Sequence, residues 1–145
     1  MVIAIIGESC TGKSSLADKL KDKLIAEVFT GKDYLRLAKN EAIAKKLFQK
    51  KLEHAVSGEN IIYVISEREH LSLLPDGTVC VLMTADLELI QERFAVRMRG
   101  NLPAPVKAML EKKYGCFDAE RCDYRIHNNE GIDEVCDAIL QRSSI

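Results

Sequence analysis

The stretch GESCTGKSS, residues 7–15, combines the residue types that can hold a polyphosphate. Glycines near both ends of the loop allow the backbone to turn so that successive N–H groups point inward. The spacing is G-x-x-x-x-G-K-[ST], with the apolar run VIAII before it and a helical pattern after it. The sequence therefore predicts a strand, a phosphate-binding loop and a helix whose N-terminus attracts anions.

Each residue of this loop has an expected contact with a nucleoside triphosphate or its metal ion. Lys13 is predicted to reach the β- and γ-phosphates and to take part in catalysis, Ser14 to bind Mg²⁺, and Ser15 to lie near the α-phosphate. We expect ATP and Mg²⁺ as cofactors. The other residues predicted to contact ATP are Gly7, Glu8, Ser9, Cys10, Thr11 and Gly12.

The composition limits the partners that the chain is expected to have. It has 145 residues, a formal net charge of -1 and charged side chains at 30% of positions, so neither nucleic acid nor a membrane is expected as a partner. The apolar runs are far shorter than the ~20 residues that span a bilayer. Five cysteines without C-x-x-C spacing are typical of a reduced, cytoplasmic protein. The oligomeric state stays open.

Five apolar runs alternate with amphipathic helical patterns along the chain. Strands are expected at residues 2–6, 25–29, 61–65, 79–83 and 124–127. The first four are almost continuously apolar, which is typical of parallel strands covered on both faces. A helical stripe is expected through Leu35, Ala38 and Ala42. The alternation predicts a single α/β domain over residues 1–145.

The pattern is interrupted between residues 99 and 118. Gly100, Pro103 and Pro105 break a helix before a short basic stretch resumes. Because such segments lie at the surface and tolerate movement, we expect a mobile lid at about residues 99–118.

Five segments, taken in order, resemble the nucleoside monophosphate kinases, adenylate and cytidylate kinases in particular. They are the loop, TGKDYLR (30–36), SERE (66–69), ERFAVRMR (92–99) and DYRIHNNEGIDEV (123–135). The resemblance implies a three-layer P-loop NTPase fold, with a five-stranded parallel sheet in the order 2-3-1-4-5 flanked by helices. It also implies transfer of the γ-phosphoryl group of ATP to a nucleoside monophosphate.

The resemblance implies an acceptor arm at about residues 30–58. Thr30, Gly31, Asp33 and Arg36 match the family's T-G-D-x-L-R pattern with one extra residue. Arg36 is then expected to grip the acceptor's phosphate, because a planar guanidinium neutralises and orients phosphate oxygens. Arg68 resembles a second acceptor clamp that follows strand three in cytidylate kinases.

One position after strand three departs from the family's pattern. Glu67 stands where cytidylate kinases have glycine, and Ser66 stands where a Walker B strand usually ends in aspartate. We therefore expect Glu67 to bind Mg²⁺ through water or to contact the acceptor.

Further residues are implied for the donor nucleotide. Arg93 and Arg97 share one helix face, and the resemblance places Arg93 against the donor's base and Arg97 on its phosphates. Arg97 and Arg99, which begins the lid, are expected to stabilise the transferring group and are predicted to be catalytic. Asn128 and Asn129 are expected to border the donor's base.

Two other functions stay open. A small-metabolite kinase of the shikimate or gluconate kind has the same core but an alcohol as acceptor, and Asp33 is then the carboxylate near the acceptor arm that could act as a base. A nucleotide-binding module without turnover is the other alternative, because the Walker B aspartate is missing and the acceptor arm is short.

Overall fold

The computed structural model describes residues 1–143. The strands are β1 (Val2–Ile6), β2 (Glu27–Thr30), β3 (Ile61–Ile65), β4 (Val79–Thr84) and β5 (Tyr124–His127). The helices are α1 (Lys13–Leu24), α2 (Glu41–Ala55), α3 (Leu87–Arg97), α4 (Ala104–Lys113) and α5 (Ile132–Ser143), with short 3₁₀ helices at Asp33–Leu37 and Arg68–Leu73. Within the described residues, no helix is both long enough and apolar enough to cross a membrane.

The five strands form one parallel sheet in the order β2-β3-β1-β4-β5. The predicted fold class and strand order are therefore confirmed. All five residues of the central strand β1 are buried. Val2, Ala4 and Ile6 face the layer that contains α2, whereas Ile3 and Ile5 face the layer of α1 and α5. This alternation explains why the run is continuously apolar, since both faces of the sheet are covered.

An aromatic cluster fixes α2 and the acceptor arm to the sheet. The ring of Phe48 lies 4.8 Å from that of Phe29, 4.9 Å from that of Tyr63 and 5.5 Å from that of Tyr34, measured between centroids. All four side chains are buried. Because interiors are close-packed, the segment from β2 to α2 is held firmly beside the end of the sheet.

The prediction for the second strand was wrong at its start. Residues 25–29 were expected, but β2 begins at Glu27 because Ile25 ends α1 in the left-handed region, with φ 52°. The N–H of Ala26 closes this turn by donating to the carbonyl of Lys21 at 3.0 Å. The apolar Ile25 is 89% exposed, so it belongs to a helix cap and not to the sheet.

The predicted helical stripe through Leu35, Ala38 and Ala42 does not lie on a single helix. The short 3₁₀ helix ends at Leu37, and Ala38 has extended backbone. Asn40 then starts α2, because its Oδ1 accepts a hydrogen bond from the N–H of Ile43 at 3.1 Å. An N-cap of this kind satisfies one of the free N–H groups of the first turn, which the apolar periodicity alone does not reveal.

The segment predicted as a lid lies against the domain. Leu110 of α4 is buried in a small apolar cluster with Ile90 of α3 and Ala85. Phe117, 1% exposed, joins the core on the α2 side of the sheet. The segment is thus attached at two apolar points, one on its helix and one after it, and its movement stays a prediction.

We expect Phe48→Ala to lower the free energy of unfolding by about 3–5 kcal/mol, because a large buried ring is replaced by a cavity. The matched control is Leu47→Ala, since Leu47 is the preceding residue and is 44% exposed; we expect a loss of roughly 0.5 kcal/mol or less there. Urea unfolding measures both. Equal losses would contradict the placement of Phe48 at the centre of the cluster.

Candidate active site

The loop between β1 and α1 has a shape that depends on two glycines. A Cβ on Gly7 would stand 2.3 Å from the carbonyl oxygen of Met83 in β4. Gly12 has φ 96°, and a Cβ there would stand 2.1 Å from Oδ1 of Asn129. A side chain at position 7 would therefore collide with backbone, and one at position 12 would displace the side chain of Asn129.

Lys13, the first residue of α1, is buried beneath this loop. Its Nζ donates a hydrogen bond to the carbonyl of Glu8, which also accepts from Oγ1 of Thr11 at 2.8 Å. Burial lowers the pKa of Lys13 to about 8, and the charge of Arg97 acts in the same direction. A bound anion would supply the opposite charge that this ammonium group lacks.

A cavity of about 590 Å³ opens over the loop at the carboxyl ends of the strands, a size typical of small-molecule sites. Three cationic side chains line it, and among the described residues no carboxylate does. Ten of the predicted residues line it: Ser9, Cys10, Gly12, Lys13, Ser14, Ser15, Thr30, Arg93, Arg97 and Asn129. The sequence did not predict Val64, Ser66 and Val96 as lining residues.

Arg93 holds the loop from the side of α3. Its Nη1 donates to the carbonyl of Cys10 at 2.9 Å, and Cys10 has a left-handed backbone with φ 66°. Its predicted contact with the donor's base stays a prediction. Arg97, one turn further along α3, also lines the cavity, whereas Arg99 lies in the exposed turn after α3 and is not among the lining residues.

The loop after β5 closes one side of the cavity. Oδ1 of Asn129 is buried and has no hydrogen-bond partner among the described residues. Because a buried acceptor without a partner is costly, this atom favours a donor group on a bound ligand. Asn128 lies outside the cavity lining and is tied to the backbone after β4, since its Oδ1 accepts from the N–H of Asp86 at 2.9 Å.

A polar network that sequence reasoning missed supports this loop. Nε2 of His127 lies 3.0 Å from Oδ1 of Asp86, and Nδ1 of His127 lies 2.8 Å from Oγ1 of Thr84. Hydrogen bonds from Asn128 first, and then from His127, hold the pKa of Asp86 below its ordinary value. The available signal was the presence of polar residues where β4 and β5 end, because neighbouring parallel strands place such residues together.

The start of the acceptor arm is ordered beside the cavity. Oδ2 of Asp33 accepts a hydrogen bond from the N–H of Thr30 at 2.9 Å. The carbonyl of Gly31 accepts from the hydroxyl of Tyr63 at 2.8 Å. Thr30 lines the cavity, and the other two matching residues, Gly31 and Asp33, hold the turn that follows it.

The two arginines predicted to grip the acceptor lie elsewhere. Nη2 of Arg36 is 3.4 Å from Oε2 of Glu27, and its guanidinium lies 4.3 Å from the ring centre of Phe29. Nη2 of Arg68 is 2.9 Å from Oε1 of Glu120. Neither arginine lines the cavity, so the structure does not bring them together with Lys13.

The two predicted metal ligands face different spaces. Ser14 lines the large cavity beside Lys13, whereas Glu67 lines a smaller cavity together with Glu8. Oε1 of Glu67 lies 3.7 Å from Nζ of Lys113. The hydroxyl of Ser14 fits a Mg²⁺ ion that takes most of its ligands from phosphate oxygens and water.

Comparison with known proteins shows the fold. No family model and no curated protein matches the chain. It is similar to an uncharacterized protein from Eubacterium ventriosum, with 19% identity over 98% of this chain and 97% of that chain and a TM-score of 0.67. It is also similar to shikimate kinase from Acinetobacter baumannii in complex with shikimate, with 14% identity, 97% and 93% coverage and a TM-score of 0.64.

A further similar structure is deoxyadenosine kinase from M. mycoides with bound dATP, with 15% identity over 100% of both chains and a TM-score of 0.56. At these identities the similarity defines the class of fold, which is that of the P-loop kinases. The fold alone does not determine the reaction, which depends on the side chains of the site.

We expect Gly12→Ala to weaken binding of Mg-ATP, because the new Cβ would displace the Asn129 side chain that lines the cavity. Gly100→Ala is the matched control: Gly100 has a similar φ of 88°, but no atom of the described residues lies within 4 Å of its added Cβ. Isothermal titration calorimetry measures both variants, and circular dichroism checks that they fold. Wild-type affinity in Gly12→Ala would contradict the close approach of the loop.

We expect Mg-ATP binding to take up protons above neutral pH. Part of the Lys13 population is uncharged at pH values near its pKa of about 8, and a triphosphate raises that pKa by favouring the charged form. Calorimetry at about pH 8.5 in two buffers of different ionisation enthalpy measures the uptake, which should diminish at about pH 7. A binding enthalpy that is independent of the buffer at the higher pH would refute the shift.

Proposed function

We propose that the chain is an ATP- and Mg²⁺-dependent phosphotransferase that acts on a small-molecule acceptor. The observation that carries this proposal is the buried Lys13 ammonium, which lies beneath a glycine loop in a cavity with Arg93 and Arg97 and with no carboxylate from residues 1–143. Such an arrangement suits a polyphosphate, and phosphoryl transfer depends chiefly on positioning and neutralisation of charge.

Each residue of the site has a separate role in this proposal. Bound ATP supplies the phosphoryl group, and Mg²⁺ neutralises charge on its phosphates. Lys13 is placed to hold the β- and γ-phosphates, and Arg97 to stabilise the charge on the migrating group. Arg93 keeps the Cys10 carbonyl turned toward α3, so that the loop keeps its shape.

A nucleoside monophosphate is the acceptor that the sequence resemblance favours. Its structural support is that Thr30 lines the cavity and that Asp33 holds the turn that follows Thr30. Binding of an acceptor phosphate by Arg36 and Arg68 requires both to leave their carboxylate partners, Glu27 and Glu120. The phosphate of the acceptor would then replace a carboxylate at each guanidinium.

A metabolite with a hydroxyl acceptor is the second candidate. The specific observation in its favour is that Arg36 and Arg68 are already ion-paired and lie outside the cavity lining. An alcohol needs no such arginines. It needs instead a carboxylate near the reacting oxygen that can take its proton.

We expect ADP release in the presence of an acceptor, and we expect Lys13→Ala to abolish it while the protein stays folded. A coupled assay measures release with CMP, UMP and AMP and with a set of metabolite alcohols. Release with a nucleoside monophosphate supports the first candidate, and release only with an alcohol supports the second. Tight ATP binding without release from any acceptor would contradict the proposal and favour a non-catalytic nucleotide-binding module.

A further inference from the structure

A smaller cavity of about 40 Å³ adjoins the cavity over the loop. Ser9 and Ser66 line both, so the two spaces meet between the loop and the end of β3. The wall from α3 and α4 is mostly apolar, with Ile90, Met109 and Leu110. The volume suits one or two groups of the size of water, such as the hydroxymethyl end of a larger molecule.

The charges of the two cavities are opposite in sign. Three cations line the large cavity, whereas the small one is lined by the carboxylates Glu8 and Glu67 and by the single cation Lys113. Lys113 lies near Glu67, at 3.7 Å. The Glu8 carboxylate accepts a hydrogen bond from the backbone N–H of Gly115 at 3.2 Å. An anionic group in the small cavity would face like charge, whereas a hydroxyl or an ammonium would not.

Glu8 links the small cavity to the phosphate site. Its backbone carbonyl receives the ammonium of Lys13, and its side chain lines the small cavity. Asp33, the carboxylate expected from the sequence to act as a base, lines neither cavity. Both carboxylates accept a backbone N–H, but only Glu8 lines a cavity that adjoins the one over the loop. Glu8 is therefore better placed than Asp33 to meet a hydroxyl group that approaches the γ-phosphate.

The surroundings of Glu8 favour the uptake of a proton. Burial raises the pKa of Glu8, the N–H of Gly115 and the charge of Lys13 lower it, and the charge of Asp118 raises it further. A carboxylate with a raised pKa is the stronger base. Six titratable groups lie around Glu8, on α1, after β3, at the end of α4 and in the segment after α4. They are Lys13, Glu67, Lys113, Tyr114, Cys116 and Asp118.

Building on the phosphotransferase function proposed above, we propose that the acceptor is a hydroxyl compound with no anionic group at its reacting end and that Glu8 is the base that accepts its proton. The hydroxyl oxygen forms a bond to the γ-phosphorus of ATP as its proton passes to the Glu8 carboxylate. The bond from that phosphorus to the oxygen bridging to the β-phosphate breaks, and ADP leaves with the electron pair.

Glu8→Gln tests the base without knowledge of the acceptor, because water can take the acceptor's place in slow hydrolysis of ATP. We expect Glu8→Gln to lower this hydrolysis about 100-fold at saturating Mg-ATP, a typical contribution of a general base, and calorimetry gives the concentration that saturates each variant. Glu111→Gln is the matched control, since Glu111 is an exposed carboxylate on α4 that lines neither cavity. Wild-type hydrolysis in Glu8→Gln would overturn the role of Glu8.

The pH profile and a carboxyl titration give readouts that a purely structural role of Glu8 would not produce. Wild-type hydrolysis should rise with pH in the mildly acidic range, and this rise should be lost in Glu8→Gln. NMR titration of the free protein should give Glu8 a midpoint above the ordinary value of a glutamate side chain. A flat wild-type profile, or an ordinary midpoint for Glu8, would overturn the assignment.

Matched pairs of acceptors test the chemical class. ADP release is measured with cytidine against CMP, glucose against glucose 6-phosphate, and ethanolamine against phosphoethanolamine, so that each pair differs at the reacting end. The proposal is supported if, in at least one pair, ADP is released faster with the member that lacks an anionic group, and if no pair shows faster release with the anionic member. Faster release with an anionic member, or no stimulation by any compound, overturns the acceptor class. Preference for CMP would leave the proposed phosphotransferase function intact, whereas failure to bind Mg-ATP would refute that function itself.

Discussion

A buried ammonium group is the constraint on which the site depends. Lys13 is only 6% exposed, and its ammonium group donates a hydrogen bond to a neutral carbonyl, that of Glu8. Removing a charge from water without an opposite charge is unfavourable, and this is why the pKa of Lys13 falls to about 8. The rest of the loop holds this group in place, so that an incoming polyphosphate meets a charge that is already oriented and only weakly hydrated.

The two adjoining cavities carry opposite charge, and this difference favours one orientation of the bound ligands. The large cavity collects Lys13, Arg93 and Arg97, and the small one contains Glu8 and Glu67. Complementary potentials of this kind select the orientation of ligands more than they add to affinity. In the proposed phosphotransferase, a polyphosphate would be directed to the loop, and an uncharged or cationic group would be directed to the space between the loop and α4.

The segment between α3 and β5 connects this chemistry to the fold. Leu110 and Phe117 anchor it in two different apolar clusters. Between these anchors, the N–H of Gly115 donates to the side chain of Glu8 in the loop. Glu8 thus belongs to the loop and binds the segment after α4, so a change in its protonation would affect the hydrogen bond that joins the two.

The sequence by itself determined the features whose causes are local. The strand at residues 61–65 was predicted to the residue, because a continuous apolar run reports burial on both faces. The loop was predicted with its flanking elements, because consecutive residues build it. Tertiary structure decided the partners: Arg68 meets Glu120 across 52 positions of the chain, and Glu8 meets Gly115 across 107. Backbone geometry depends mainly on the preferences of residues that are close in sequence, whereas the neighbour of a long side chain depends on how distant segments pack.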